Sequence, residues 1–591
     1  MLFKVLFLVA LLSAIDVSHQ LAVPTPSKTN TNTILWLRDH SLRIQDNEAA
    51  YNAMLKCQSS SSLIPIYLWG KNDDSNGGTA SELFIAHALK SLDLKLHGKI
   101  GHGCVEVETK TMDASGEQNA DFSDMIDKNA LRIAEELASI CNKLHSSEIY
   151  YIRSNNIPFE DRIIHHLQQK GIVARDYFGC SLLDYSKVQV PWKELILSHP
   201  FRSPLIPFVD FVLARLSEHP PPEPIDIPMD KFILSLGETE TDPSSSSIFS
   251  HPVDLDSKLQ RLGKSQGGEN WGKTVIESFS KNNEDALKEL DSFFITSSNA
   301  KNTNQKYTHF TSRLSPYLAR GILSPRQVYH TVLSHSSEYD LSSLLRRLCW
   351  RDYTYALSSL FPDMSLHPIR RGYDHQDSTL TREKHHFLEM WKCGKTGIPI
   401  VDAGMRQLQV EGFMPQKVRL VCSTYLVEGL NISWQHGMQH FKEYLIDFDQ
   451  EINCAMWQNA GFVGLDPYYV GLKYRKRAYW DRDGSYVRKW CPELKNLEDY
   501  VVLDQGRGVT KKIDCLYEPW SAPDEALEKA GVELGETYPL RICDDRLNRQ
   551  KLFNRLRVVR TSWPADMVDE CKRDIVPLGR EPAAERIGMF T

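Results

Sequence analysis

From Thr33 to about Val190 short apolar runs alternate with helical patterns, and this alternation restricts the fold more than any other feature. The runs ILWL, LIPIYLW, CVEVE, EIYYIR and IVARDYF have the length and apolar content of strands. Between them, SELFIAHALKSLDLKLH, ALRIAEELASICNKL and PFEDRIIHHLQQKG repeat apolar residues at helical spacing. Strand and helix in turn predict an α/β domain: a parallel five-stranded sheet with helices on both faces. This is a nucleotide-binding type of fold, yet neither GxGxxG nor GxxxxGKS/T occurs, so the usual phosphate loops are absent.

A chain of 591 residues exceeds what one hydrophobic core supports. The α/β domain is assigned to 33–190. Residues 191–268, rich in Pro, Ser and acids (EHPPPEPIDIP, GETETDPSSSSIFSHP), are expected to form a partly disordered connection wrapped over a surface. Over 269–505 the strand signals vanish and amphipathic segments follow one another, which predicts an all-α domain. Residues 506–591 form a C-terminal extension, whose tail from Asp544 is too short for its own core and irregular in pattern. The net charge of -7 gives no global sign of a nucleic-acid binder but leaves room for a local basic groove.

The twelve cysteines are scattered singly, without CxxC or metal-ligand spacing, as in a reduced compartment. Residues 1–20 place Lys4 before an apolar run from Val5 to Ala14, the pattern of a signal peptide. The hydroxyl-rich, acid-free spacer 21–32 suits a transit segment, so the leader is read as endoplasmic-reticulum entry with a plastid as destination. Nucleus or cytoplasm is the alternative if the first exon is misassigned. Nothing after the leader is apolar enough to span a membrane.

Three groups in the helical domain carry chemistry. Thr311, Ser312 and Ser315, in FTSRLSPYLARG, stand where a helix would begin and offer hydroxyls and backbone N–H groups to a pyrophosphate; plain helix capping is the other reading. Arg419, on an otherwise apolar helix, is expected to pair with Asp447, either as a structural salt bridge or beside a ligand ring. In YLIDFDQEINCAMWQNAG a helix puts Asp449, Asn453 and Trp457 at i, i+4 and i+8 on one face, a wall suited to a ligand. Trp350, Trp434 and Trp457 could equally be core filler.

Six phrases in order decide between these readings: ILWLRDHSLRIQDNEA, TSRLSP, WRDYTYAL, GKTGIPIVDAGMRQL, DFDQEINCAMWQ and DGSYVRKWCPEL. Together they resemble the photolyase/cryptochrome family of blue-light flavoproteins over about Thr33 to Leu494, with plant-like or algal cryptochromes as the similar branch. The resemblance implies an FAD folded back on itself in the all-α domain and a folate or deazaflavin antenna in the first, with Glu160 as a folate contact. It implies phosphate contacts from Thr311, Ser312 and Ser315, with Arg313 and Leu314 between them, and further cofactor contacts from Trp350, Gln416 and Phe448. Arg419 and Asp447 then lie beside the isoalloxazine, Asp449 near its polar edge and Asn453 facing N5. An amide there cannot readily hand over a proton, which favours an anionic flavin. Trp457 and Trp434 match electron-transfer tryptophans, while the slot of the usual third falls at Thr381, leaving Tyr373 as a substitute exit.

Repair and light sensing both belong to this family. Around the expected lesion cavity the resemblance places Arg347, Gln416, Leu420 and Asn459 where a cyclobutane-dimer photolyase has other residues. Pro415 and Gln416 replace the histidine pair of (6-4) photolyases. A cryptochrome-type receptor signalling through the tail after Cys543 is therefore the leading expectation. The alternative is a deoxyribodipyrimidine photolyase, a carbon–carbon lyase, DASH-like if it acts on single strands. Asn453 and a basic rim of Arg346, Arg347, Lys417, Lys473, Arg475, Lys476 and Arg477 favour that enzyme and DNA as partner, although KYRKR also reads as a solvated loop.

Overall fold

A computed structural model of the chain describes residues 32–57, 61–71, 79–100, 103–108, 122–198, 203–236, 253–263, 271–302, 311–335, 342–374, 380–466, 474, 477, 480–504, 509–564, 567–568, 574–578 and 586–589. The leader and all but Asn32 of the spacer lie outside these residues.

Five parallel strands form one sheet in the order β3-β2-β1-β4-β5. They are β1 (Thr33–Leu37), β2 (Leu63–Lys71), β3 (Cys104–Glu108), β4 (Glu148–Ile152) and β5 (Val173–Tyr177), matching the five expected runs. Ile34 pairs with Ile64 on one side and Ile149 on the other, so β1 is central and buried on both faces. Its alternating side chains serve two cores: Leu35 and Leu37 face α1 (Glu48–Lys56) and α2 (Ala80–Lys95), while Ile34 and Trp36 face α3 (Phe122–Lys143) and α4 (Ile157–Gln169). Burial on both sides is why these strands read as continuous apolar runs. Helix α1, absent from the sequence reading, starts at Asn47, whose side chain accepts from Ala50 N at 3.0 Å.

The connecting segment is more ordered than its composition suggests. Helices form at Trp192–Ser198, Leu205–Glu218, Met229–Ser235 and Leu255–Gly263. Pro204 and Pro228 occupy the N-cap positions of two of them, so proline here starts helices rather than preventing them. Phe208 is fully buried and meets Tyr353 of the helical domain at 5.2 Å.

The helical domain includes α5 (Ser342–Leu360), α6 (Gln416–Thr424), α7 (Trp434–Tyr444) and α8 (Gln450–Ala460), with α5, α6 and α7 all packed on α8. Helix α6 runs into a wider π-type turn at Tyr425–Gly429. An antiparallel hairpin, Tyr500–Asp504 with Val509–Ile513, follows the helical region.

Among its described residues the tail holds a regular helix. Asp544 caps a helix over Asp545–Thr561, and Leu552 and Leu556, spaced i, i+4, are buried. Its charged residues hide this stripe in the sequence. Arg549 pairs at 2.5 Å with the buried Glu428, and Asp574 lies between Arg370 at 2.8 Å and Arg560 at 2.7 Å. Among the described residues no helix is long and apolar enough to cross a membrane.

Candidate functional site

Helix α8 is the floor of the site. Asp449 is its N-cap, accepting from Ile452 N at 3.1 Å, so it precedes the helix while Asn453 and Trp457 share a face inside it. Helix α7 lies antiparallel on α8 because two glycines admit two indoles. A Cβ on Gly437 would stand 2.1 Å from Trp457, and one on Gly461 would stand 2.6 Å from Trp434. Both tryptophans are buried.

Arg419 projects from α6 and donates through Nε to Met414 O and through Nη2 to Asp447 Oδ2, both at 2.7 Å. The expected pairing is therefore present, with the Asp447 side chain 1% exposed. Asp447 Oδ1 is buried without a hydrogen-bond partner among the described residues. A buried carboxylate oxygen left this way calls for a donor that the described residues do not supply, as a bound ligand would. Asn453 donates to Met438 O at 3.2 Å, which orients its amide. Asp449 Oδ2 accepts from Tyr355 OH at 2.6 Å. Beside it the Glu451 carboxyl is pushed up to about 8, by burial first and by the charge of Asp449 second.

One cavity collects half of the expected residues: Gln416, Arg419, Asp447, Phe448, Asp449, Asn453 and Trp457 line it. Leu420, Ser423, Phe441, Leu445, Ile452 and Met456 complete the wall. Leu420 was placed at this cavity by the resemblance; the others are mostly apolar, and nothing in the sequence separates them from ordinary core.

The description "FAD binding domain of DNA photolyase" belongs to the family model that matches residues 344–558. A deoxyribodipyrimidine photo-lyase of Agrobacterium fabrum is 27% identical over 526 residues, covering 88% of this chain and 96% of that protein. Cryptochrome-1 of Arabidopsis thaliana is 24% identical over 538 residues, covering 86% of this chain and 68% of that protein. The crystal structure of a bacterial class III photolyase from Agrobacterium tumefaciens superposes with a TM-score of 0.69 at 26% identity, covering 92% of this chain and 100% of that one. The chain belongs to the photolyase/cryptochrome family.

For this photolyase/cryptochrome-family flavoprotein the donor set of the cavity fits FAD. The orphaned Asp447 oxygen suits an N–H or O–H of the cofactor, the Arg419 charge suits an electron-rich ring, and Trp457 and Phe441 offer flat apolar walls.

Thr311, Ser312, Arg313, Leu314 and Ser315 lie outside that wall but are tied to it. The Arg313 guanidinium stands 5.0 Å from the Phe413 ring and that of Arg419 stands 5.5 Å from it, so one phenyl links the two regions. Sequence reasoning missed Phe413. Arg313 holds φ +53, the left-handed region, which costs a side-chain-bearing residue energy. Leu314, which has no hydroxyl, occupies the N-cap position of Ser315–Ala319 without a side-chain cap bond, so capping does not account for the hydroxyl cluster.

Trp350 is 46% exposed and not part of the cavity wall. Helix α5 buries Leu348, Cys349, Arg351 and Asp352, which turns Trp350 outward with the exposed Arg346 and Arg347. Arg477 is engaged by Asp499 and Asp514, each at 2.7 Å, and so leaves the expected basic rim; Lys473, Arg475 and Lys476 lie outside the described residues. Glu160 is not offered to a folate. Arg38 Nη1 holds its two oxygens at 2.6 and 2.7 Å, and the side chain is 1% exposed.

Thr381, in the slot of the missing tryptophan, caps Arg382–Lys392 by accepting from Lys384 N at 3.2 Å. Tyr373 is buried against Trp563 of the tail, with ring centroids 4.8 Å apart. Trp391 lies 6.2 Å from Trp457, a contact sequence reasoning did not assign.

Proposed function

We propose that this chain is a blue-light receptor of cryptochrome type that reads light through electron transfer from Trp457 to bound FAD. The observation that supports it most directly is the single cavity wall combining the Arg419–Asp447 pair, Asn453 and Trp457. FAD, when bound, supplies absorption of blue light and acceptance of single electrons.

Arg419 and Asp447 would hold the flavin ring, with Asp447 Oδ1 able to accept a hydrogen bond and Arg419 able to stabilise negative charge beside it. Asn453, on the cavity wall, would offer the bound ring an amide without an acidic proton. Gln416, Phe448 and Asp449 line the remaining edge. Thr311, Ser312 and Ser315, with the backbone of Arg313 and Leu314, receive the phosphates. Trp457 would serve as the electron donor on the cavity wall, and Trp434, packed on Gly461 one helical turn from Trp457, as the donor behind it. Helix α6, the π-type turn and the tail helix, joined by the Glu428–Arg549 pair, would link the cavity wall to a surface for partners.

A second reading, DNA repair, is favoured by one observation: Arg346, Arg347 and Trp350 are exposed together on α5, a face suited to phosphates and to stacking on a base. One experiment separates the two. The reduced holoprotein is illuminated on an oligonucleotide carrying one thymine dimer, single- and double-stranded. We expect no repair while flavin photoreduction proceeds in the native protein and is lost in Trp457→Phe. Repair of either substrate makes the chain a photolyase, and unchanged photoreduction in Trp457→Phe rules out the electron path.

A further inference from the structure

The cavity wall runs through three consecutive residues, Asp447, Phe448 and Asp449, and each is anchored from a different element. Asp447 is held by Arg419 of α6, and Asp449 by Tyr355 of α5. Phe448 is held by its backbone. Arg320, which ends the short helix Ser315–Ala319, donates through Nη2 to Phe448 O. The other prong of the same guanidinium, Nη1, faces Asp39 Oδ2 at 3.7 Å. Asp39 follows β1, so this anchor starts at the cavity and ends in the α/β domain.

The surrounding backbone sets the direction of Arg320. Its carbonyl accepts from Leu42 N at 3.1 Å, and Arg43 Nη1 donates to Gly321 O at 2.8 Å. Gly321 holds φ +60 and lies so close to the loop after β1 that a Cβ there would stand 1.9 Å from His40 O. The residues on either side of the Arg320 side chain are therefore stitched to the loop that carries Asp39.

The energetics do not favour a role in stability. Arg320 is 5% exposed, its Nε is buried without a hydrogen-bond partner among the described residues, and the Asp39 side chain it faces is 54% exposed. A cation in such a place recovers little of its desolvation cost, and a well-packed apolar side chain of similar volume is often neutral or stabilising instead. What the guanidinium secures is the position of the Phe448 carbonyl, and with it the two flanking aspartates of the wall.

We propose that Arg320 is a positioning residue for the FAD cavity and that Asp39 acts through it, so that a surface residue of the α/β domain sets how tightly the helical domain keeps its cofactor. This rests on the reading that the cavity holds FAD. Without the guanidinium the Phe448 carbonyl loses its anchor, Asp447 and Asp449 lose their fixed spacing, and the cavity holds its ligand less well.

The test uses the full-length protein. FAD release on dilution of the holoprotein is followed by flavin fluorescence, and melting temperature is taken with FAD bound and after its removal. Arg320→Met is expected to release FAD about tenfold faster, while its FAD-free melting temperature stays at or above the native value. Arg320→Lys, which keeps the charge without the fork, is expected to fall between. Asp39→Asn is expected to speed release about threefold by itself and to add nothing on top of Arg320→Met. A native release rate in Arg320→Met, or a fall in melting temperature as large without FAD as with it, reduces Arg320 to a packing role and overturns the proposal. Additive effects of the two substitutions separate Asp39 from it and overturn the link between domains. If the native protein binds no FAD, the reading of the cavity fails instead. Should Arg320→Met fail to fold, Asp39→Asn at the surface decides, since unchanged release there sinks the idea.

Discussion

Arg419 and Asp447 show how a single side chain controls the cavity. The carboxylate is buried with one oxygen ion-paired and the other without a partner among the described residues, so the guanidinium is its main compensation. Removing the cation leaves a buried charge uncompensated, which typically costs about 3–5 kcal/mol. Arg419→Met is therefore expected to lower stability by roughly that amount and to purify with little flavin, as measured by denaturant titration and by the absorption ratio of the holoprotein. Asp447→Asn keeps the shape and loses the charge, and is the milder change. This pair was legible in the sequence because a charged residue inside an apolar helix needs a partner. The orphaned oxygen was not, since it depends on what every neighbouring side chain leaves unmet.

Helices α7 and α8 are held by a reciprocal contact, Gly437 against Trp457 and Trp434 against Gly461. The crossing brings the two indoles to one interface, so packing and the proposed electron transfer depend on the same four residues. Gly437→Ala would place a methyl 2.1 Å from Trp457 and force the helices apart. The expected outcome is a loss of about 1–3 kcal/mol in denaturant unfolding. Slower photoreduction at equal flavin content accompanies it; equal stability and equal kinetics would show that the interface yields without cost. The sequence offered the i, i+4 spacing of Asn453 and Trp457 but not the glycine contacts, because the partner of a small residue is set by a helix distant in the chain. Trp350 shows the same limit: its motif was legible, and its outward direction followed from which face of α5 the core claims.

The two domains are joined through carboxylates that prefer to be protonated. Asp352 of α5 accepts from Leu182 N at 2.9 Å, Leu183 N at 3.2 Å and Tyr185 OH at 3.0 Å, all in the loop after β5. Burial pushes its carboxyl up to about 7, against the opposing pull of Arg351, and burial pushes Asp466, bonded to Tyr353, to about 7 as well. A carboxyl raised on folding stabilises most fully below its unfolded value, near 4, and that contribution is lost as pH rises through 7. Melting temperature is therefore expected to fall between pH 6 and 8 for the native protein and to fall less for Asp352→Asn, whose amide oxygen can take the same three bonds. A steeper decline in the variant would show that Asp352 is a stabilising anion. At this scale the sequence by itself determined the five strands and their parallel pairing, the helical character of the second domain, the family, and the pairing of Arg419 with Asp447. The strands and helices follow from local periodicity, the pair from a charge that must be matched, and the family from its resemblance over six phrases in order. Only the tertiary structure decided that the proline-rich connection and the charged tail are helical and docked, that Glu160 and Arg477 are already engaged within the chain, and that Trp391 touches Trp457. Each of those outcomes depends on which distant surface is nearby to bury an apolar stripe, accept a charge or meet a ring, and such proximity is not written in any short stretch of sequence.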